Sequence, residues 1–349
     1  MSTKIRKTEL RNLNKHELAS LMESFDEKRF RAKQIHQWLW QKKVNAISEM
    51  RNLPKSLIEK LEDKYSINKA RTATRQESRD RTIKYGFGLM DDAIAEGVLI
   101  PSGGRTTACI SSQVGCKLGC RFCATGMMKF HRNLFPSEIL DQVMVIDEDS
   151  WNLYGHKLSN IVFMGMGEPL LNFENVMKSI EILTSEEGLA FSPQRVTLST
   201  VGIIDKIKEM GDRKVRFNLA VSLHTANNDK RSQLMPVNKT NPLNDLIKAL
   251  KYFHHKTQTR VTYEYLLLKG INDSAEDAKQ LADFCKIIPS KVNLIEYNPI
   301  EAGDFKKTDE ATRDAFIQLL EERKVVVNLR RSRGKDIDAA CGQLAIKNG

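Results

Sequence analysis

An α/β fold is what this sequence predicts: a small basic helical module, then a parallel sheet wound as an open sheet or as a full or partial barrel. Three observations carry that reading. Six strand-like runs, each followed by a helical pattern, occur in series after residue 105, and β-then-α repeats build parallel sheets through right-handed crossovers. The length, 349 residues with 41% hydrophobic content, exceeds one minimal domain and excludes disorder. The charge is uneven. Lys and Arg number 55 against 44 Asp and Glu, a formal +11, and residues 1–75 alone hold 18 basic and 9 acidic side chains, leaving only +2 for the rest.

Residues 8–68 read as helices. After Asp26 the apolar Phe30, Ile35, Trp38 and Leu39 recur at helical spacing among Arg29, Arg31, Lys33, Lys42 and Lys43. A basic surplus gathered in one region suits a polyanion such as nucleic acid, or is simply a solvated face. Trp38 and Trp40 either stack on bases or fill the core of the module. Residues 82–101 alternate like a hairpin around Asp91-Asp92. Beyond it, strands are expected at 108–112, 160–164, 195–200, 217–224, 260–268 and 292–298, with 325–330 weaker. Helical patterns such as Val176/Ile180/Leu183 and Leu243/Leu246/Ile247/Leu250 fall between them, some opened by cap residues such as Ser137 and Ser274. The chain thus divides into a basic helical module over 1–75, a β-hairpin linker over 76–105, an α/β body over 106–335 and a tail over 336–349. In such bodies ligands sit at the carboxyl ends of the strands.

No window approaches the roughly 18–20 apolar residues of a membrane span, and Met1-Ser2-Thr3-Lys4-Ile5-Arg6-Lys7 lacks a secretory apolar stretch. A cytoplasmic protein is expected. There the six cysteines (Cys109, Cys116, Cys120, Cys123, Cys285, Cys341) point to metal or redox chemistry and away from a disulfide framework. Cys116-Lys117-Leu118-Gly119-Cys120-Arg121-Phe122-Cys123 follows the first strand of the body, in the loop where an active site belongs. Three thiolates in eight residues can wrap one metal centre. Zinc needs a fourth ligand, and only His131 is near. A [4Fe–4S] cube held by three cysteines leaves one iron open for a small molecule. Cys285, in Leu281-Ala282-Asp283-Phe284-Cys285, reads as core.

The spacing C-x3-C-x2-C, with Phe122 before the last cysteine, resembles the radical S-adenosylmethionine (SAM) superfamily. That resemblance implies a partial (β/α)6 barrel of the radical SAM type, with SAM bound at the open iron of a [4Fe–4S] cluster on Cys116, Cys120 and Cys123. Met164-Gly165-Met166-Gly167-Glu168-Pro169 looks like the superfamily's site for the SAM amino group: glycine admits close backbone approach, and a carboxylate accepts from an ammonium. Gly167 and Glu168, then Ser199, Ser222, Leu223, His224 and Asn298 at successive predicted strand ends, are the expected SAM contacts.

Longer stretches narrow the resemblance. Ala108-Cys109-Ile110-Ser111-Ser112-Gln113-Val114-Gly115-Cys116, Gly165-Met166-Gly167-Glu168-Pro169-Leu170-Leu171-Asn172 and Asp336-Ile337-Asp338-Ala339-Ala340-Cys341-Gly342-Gln343-Leu344 are together similar to the radical SAM adenine-C2 RNA methyltransferases, from about residue 10 to the end. The family's substrates would make 23S ribosomal RNA, in its peptidyl-transferase region, and some tRNAs, at the adenosine 3′ of the anticodon, the partners of a monomer fed electrons by a flavodoxin or ferredoxin. Carbon 2 of adenine is electron-poor, so a radical route replaces direct attack on the methyl of SAM. By the resemblance, Cys341 takes a methyl from one SAM, a second SAM provides the radical that activates it, and Cys109 closes a disulfide with Cys341 to release the RNA. The base at carbon 2 falls on Glu96, beside which Gly97 stands where a hydroxyl residue is expected. Lys129, His131 and Arg132, with Arg330, Arg331 and Arg333, could frame the mouth of the site. The rivals are a methyltransferase acting at carbon 8 with the same cofactors, and a non-catalytic zinc-containing RNA-binding protein.

Overall fold

A computed structural model describes residues 7–301 and 303–345; the ends of the expected module and tail, 1–6 and 346–349, lie outside them. The basic module folds as three helices, α1 (Lys15–Ser24), α2 (Phe30–Trp40) and α3 (Lys55–Lys64). Asn14 starts α1 with a capping box: its side chain accepts from the Glu17 amide at 2.9 Å, and the Glu17 carboxylate accepts from the Asn14 amide at 2.7 Å. Leu18, Met22, Ile35, Leu39, Leu57 and Leu61 meet in the core. Trp40 is fully buried with them, while Trp38 is half-buried under the ammonium of Lys42, 3.6 Å from its ring centre. The module's exposed surface keeps the basic side chains.

The body is a ten-stranded sheet. In chain order its strands are β1 (Arg71–Glu77), β2 (Ile83–Gly88), β3 (Ile94–Ser102), β4 (Arg105–Ile110), β5 (Asn160–Phe163), β6 (Val196–Thr200), β7 (Asn218–Ser222), β8 (Val261–Leu267), β9 (Ser290–Glu296) and β10 (Val327–Arg330), and they lie side by side in that same order. From β4 to β10 every pairing is parallel. The crossovers are the helices α4 (Pro136–Tyr154), α5 (Phe173–Thr184), α6 (Ile204–Asp212), α7 (Leu243–Thr257), α8 (Ala275–Cys285) and α9 (Glu310–Glu322). These are the six expected units plus the seventh, weaker strand. The sheet is open, with β1 and β10 as its edges, so the body is a partial barrel. β1, β2 and β3 join antiparallel on β4. The hairpin is therefore an extension of the barrel wall, and β1 runs across the expected boundary at residue 75. Among the described residues no helix is long and apolar enough to cross a membrane.

A buried ionic joint fixes the module to the barrel. Arg11, 1% exposed, donates to Asp141 of α4 at 2.5 and 3.1 Å and to Glu9 at 2.9 Å, and also to the Asn68 carbonyl. Asp141 accepts in addition from the Ala70 amide at 2.8 Å. Nearby, buried His36 of α2 donates from Nδ1 to the carbonyl of Glu187, 3.2 Å away in the loop after α5.

Burial and the ammonium of Lys15 push His36 down to about 4. In an unfolded chain a histidine titrates near 6.5, so below that pH the unfolded state takes up a proton that the native state refuses. His36 alone is expected to account for a loss of about 3 kcal/mol of stability as pH drops from about 6.5 to about 4. Urea unfolding at both ends of that window checks it, with His36→Gln losing correspondingly less; an equal loss in variant and wild type would rule His36 out as the cause.

Candidate active site

The carboxyl ends of β5 to β10 and the loop after β4 line an open cavity. Cys116, Cys120 and Cys123 all line it. The loop that carries them depends on Gly115, whose φ of +75° lies in the left-handed region and where a Cβ would meet the Lys129 carbonyl oxygen at 2.3 Å. Burial pushes the Cys116 thiol up to about 11 and raises those of Cys120 and Cys123; mutual repulsion of the sulfurs adds to this in Cys116 and Cys120. Three thiols from one loop line the cavity together, a donor set that fits a [4Fe–4S] cluster.

Opposite the cysteines stand Gly167 and Glu168. Gly167 has φ +94°, and a Cβ there would lie 2.4 Å from the Gln113 side chain, so this close approach requires glycine. The Glu168 carboxylate accepts from the amides of Leu170 and Val201, each at 2.9 Å. Burial nonetheless lifts it to about 7, against the hydrogen bonds from Thr200 and these amides. Ser199 at the end of β6 and Ser222 at the end of β7 complete this wall.

His224 lies just past β7, and its conformation is constrained. Its φ is +59°, rare for a residue with a side chain. The Leu223 and His224 amides donate to the Glu264 carbonyl at 3.0 and 3.2 Å, and Asn272 Nδ2 donates to the His224 carbonyl at 2.6 Å. Its Nδ1 accepts from the Leu266 amide at 3.0 Å, so the neutral ring carries its proton on Nε2. Burial, with the charge of Arg231, pushes its pKa down to about 3 and keeps the ring neutral. The ring meets that of Phe122 edge-on, 4.6 Å between centres.

Two of the expected contacts stand off this cavity. Leu223 is wholly buried in the core, and Asn298 instead donates to the Cys341 carbonyl at 3.2 Å. Asn298 is thus one of several anchors of the tail. The Ala124 amide donates to the Gly342 carbonyl at 2.8 Å, the Thr125 hydroxyl to the Leu344 carbonyl at 2.5 Å, and the Gln343 side chain, from Nε2, to the Pro299 carbonyl at 3.0 Å. Further back, Ser78 donates to Asp336 at 2.5 Å and the Gly334 amide to Asp80 at 3.0 Å.

The anchored loop places Cys341, exposed at its turn, on the wall of the cavity. Cys341 also lines a second cavity, together with Cys109, Arg330, Arg331 and Arg333. Cys109 is buried, which pushes its thiol up to about 12, and the sulfur of Cys341 adds to the shift. All six cysteines are free thiols, and Cys285 is buried in the core on α8. Glu96 is buried beside these groups but lines neither cavity. It pairs with Lys84 at 3.0 Å, and burial raises its pKa. Gly97 beside it lies against Phe87: a Cβ would come within 2.9 Å of that ring and 3.3 Å of the Cys109 carbonyl oxygen, which leaves no room for a hydroxyl side chain.

Of the basic residues expected at the mouth, Arg132 is occupied by Asp91 at 2.6 Å and Glu138 at 2.8 Å, and His131 also contacts Asp91 at 3.1 Å. Arg330, on the shared wall of both cavities, pairs with Glu264 at 3.3 Å. Sequence reasoning missed Glu264. Its signal was a lone carboxylate inside the apolar run Val261-Thr262-Tyr263-Glu264-Tyr265-Leu266.

Known proteins agree with this geometry. The radical SAM superfamily model matches residues 110–285, and the model of the ribosomal RNA large subunit methyltransferase N-terminal domain matches residues 8–67. The chain is 51% identical to the probable dual-specificity RNA methyltransferase RlmN of Flavobacterium johnsoniae over 98% of both chains. It is 41% identical to the dual-specificity RNA methyltransferase RlmN of Nitratiruptor sp., over 92% of this chain and 94% of that one. The crystal structure of a radical SAM methyltransferase from Sphaerobacter thermophilus superposes with a TM-score of 0.88 at 38% identity, covering 96% of this chain and 98% of the other. Membership of the superfamily implies SAM and a [4Fe–4S] cluster as cofactors. With cysteine loop, Gly-Glu turn, helical module and full-length likeness in agreement, the chain belongs to the radical SAM superfamily and, within it, to the family of dual-specificity RNA methyltransferases RlmN.

Proposed function

We propose that this protein methylates carbon 2 of adenosine in 23S ribosomal RNA, and of the adenosine 3′ of the anticodon in some tRNAs, using two SAM per turnover. The observation that carries the reading is the position of Cys341 on the wall shared by two cavities, one lined by the cysteine loop and the other by Cys109. Cys116, Cys120 and Cys123 would hold a [4Fe–4S] cluster, which would supply one-electron reductive cleavage of SAM. Gly167 and Glu168 hold the amino group of SAM, and Ser199, Ser222 and His224 line the rest of its site. The Nε2–H of His224 is a fixed donor, since Nδ1 is already engaged.

Cys341 Sγ, exposed on its turn, accepts the methyl group of one SAM as a thiolate nucleophile, and S-adenosylhomocysteine leaves with the electron pair of the broken S–C bond. Arg330, Arg331 and Arg333 give the second cavity a positive wall suited to the phosphates of an unstacked nucleotide. Once Cys341 is joined to the base as a thioether, Cys109 Sγ, in that cavity, attacks its sulfur: the S–C bond breaks, the released carbon takes a proton and leaves as the methyl of the RNA, and the transient disulfide is reduced by a cellular thiol. Glu96, its pKa raised by burial against the pull of the Lys84 ammonium, is the candidate base for the proton at carbon 2. The basic module holds the RNA, a flavodoxin or ferredoxin provides the electrons, and the enzyme works as a monomer in the cytoplasm.

Mass spectrometry of nucleosides from the ribosomal RNA and tRNA of a deletion strain tests this. 2-Methyladenosine is expected to disappear and to return on complementation. Loss of 8-methyladenosine in its place would sink the assignment in favour of the carbon-8 reaction.

A further inference from the structure

Among the described residues two arginines are enclosed, and they are treated differently. Arg11 has two carboxylates. Arg231, 0% exposed, has none among the described residues. Its guanidinium donates from Nε to the Leu223 carbonyl at 3.3 Å, from Nη1 to the Asn238 side-chain oxygen at 2.7 Å, and from Nη2 to the Val201 and Ser222 carbonyls at 2.6 and 3.2 Å. Every acceptor is neutral. A buried cation without a counter-charge is costly, and burial draws this guanidinium down to about 10; the one charge opposing that shift is Cys120.

Arg231 also stands in a fixed relation to Cys120. It is carried by the short helix Asn228–Leu234, and the carbonyl of Leu234 accepts from the Arg121 amide at 3.1 Å, between Cys120 and Phe122. Leu234 and Met235 pack in one apolar cluster with Cys120 and Phe122. The helix is therefore bonded and packed directly onto the cysteine loop.

We infer that Arg231 is the built-in counter-charge of the cluster, a buried positioning residue whose fixed positive charge makes the cluster easier to reduce. The inference rests on the reading of Cys116, Cys120 and Cys123 as cluster ligands. A [4Fe–4S] core of charge 2+ with three thiolates carries a net charge of −1. One electron from a low-potential donor takes the core to 1+ and the whole to −2. A fixed positive charge in a dry, low-dielectric setting favours the more negative of the two states, so it raises the reduction potential. The same residue braces the ends of β6 and β7, the two strands that bring Ser199 and Ser222 to the SAM wall, so charge and scaffold come from one side chain.

The test is an anaerobic titration of the reconstituted full chain with dithionite, reading the reduced cluster by electron paramagnetic resonance, with iron and sulfide measured per chain. In Arg231→Gln the ratio of reduced to oxidised cluster at a fixed poise is expected to fall about tenfold, a shift of 59 mV for a one-electron couple. Arg231→Lys, which keeps the charge but not the fork of hydrogen bonds, is expected to titrate with the wild type. The inference is overturned if Arg231→Gln titrates with the wild type, or if Arg231→Lys falls as far as Arg231→Gln, which would leave only a bracing role. Should Arg231→Gln hold no cluster, Arg231→Lys decides alone: a wild-type ratio supports the counter-charge, and a lowered ratio or a missing cluster removes it. A wild-type chain that takes up no iron would instead defeat the reading of the three cysteines as ligands.

Discussion

Replacing Cys341 by alanine is expected to lower RNA methylation by at least about 10³-fold while leaving the cluster in place, because the change removes the exposed thiol that lines both cavities and stands apart from the three cysteines of the loop. The fold has little reason to respond. The Cys341 side chain is exposed, and the loop is held through the carbonyls of Cys341, Gly342 and Leu344, which alanine leaves intact. SAM cleavage by the variant should continue, since the cysteine loop, Glu168 and His224 are untouched. Separate assays of 5′-deoxyadenosine release and of 2-methyladenosine formation would show the split. A variant that still methylates RNA at more than a few per cent of the wild-type rate would refute the proposed role of this cysteine.

The second large effect concerns stability. Asp141→Ala strips the Arg11 guanidinium of its two-pronged partner and leaves the Ala70 amide without an acceptor, all within a buried joint. Breaking one side of a buried pair costs about 3–5 kcal/mol, and because Glu9 stays beside Arg11 at 2.9 Å the lower end of that range is expected. Urea unfolding followed by circular dichroism would measure it. The joint ties the helical module to α4 of the barrel, so the module should come loose first. RNA affinity is then lost at denaturant concentrations where SAM is still bound. A destabilisation below about 1 kcal/mol would show that the pair merely offsets its own desolvation.

How far the sequence disclosed this molecule depended on periodicity. The six β-then-α units were legible because buried parallel strands and amphipathic helices leave strong patterns. β1 was not: all seven of its residues, Arg71 to Glu77, are exposed, so the edge strand shows no apolar face to read. The fourth parallel strand was expected over 217–224 but ends at Ser222, because His224 turns into the left-handed region to engage Leu266 and Asn272. Such a turn follows from tertiary bonding and has no local signature.

At the site, the cysteine loop and the Gly-Glu turn were legible because their chemistry is written in consecutive residues. Glu264 and Arg231 were not. Each is a single charged residue whose meaning arises only when separate strands and loops converge. Glu96 is legible only through the family resemblance, and its burial beside Cys109 is a matter of strand pairing, Val98 opposite Cys109.

The shared wall between the two cavities has a consequence for how fast a carbon atom can travel. Many enzymes that hand a group from one station to another move it on a long prosthetic arm or a swinging domain, on microsecond or slower timescales. Here, on the proposed route, the carrier is one cysteine on a clamped turn, and rotation about its Cα–Cβ bond suffices to aim the sulfur at either chamber. Exposed side chains make such rotations in picoseconds to nanoseconds. Conveyance of the methyl carbon therefore adds nothing measurable to the duration of a turnover, whose length is set by bond making and by departure of the RNA.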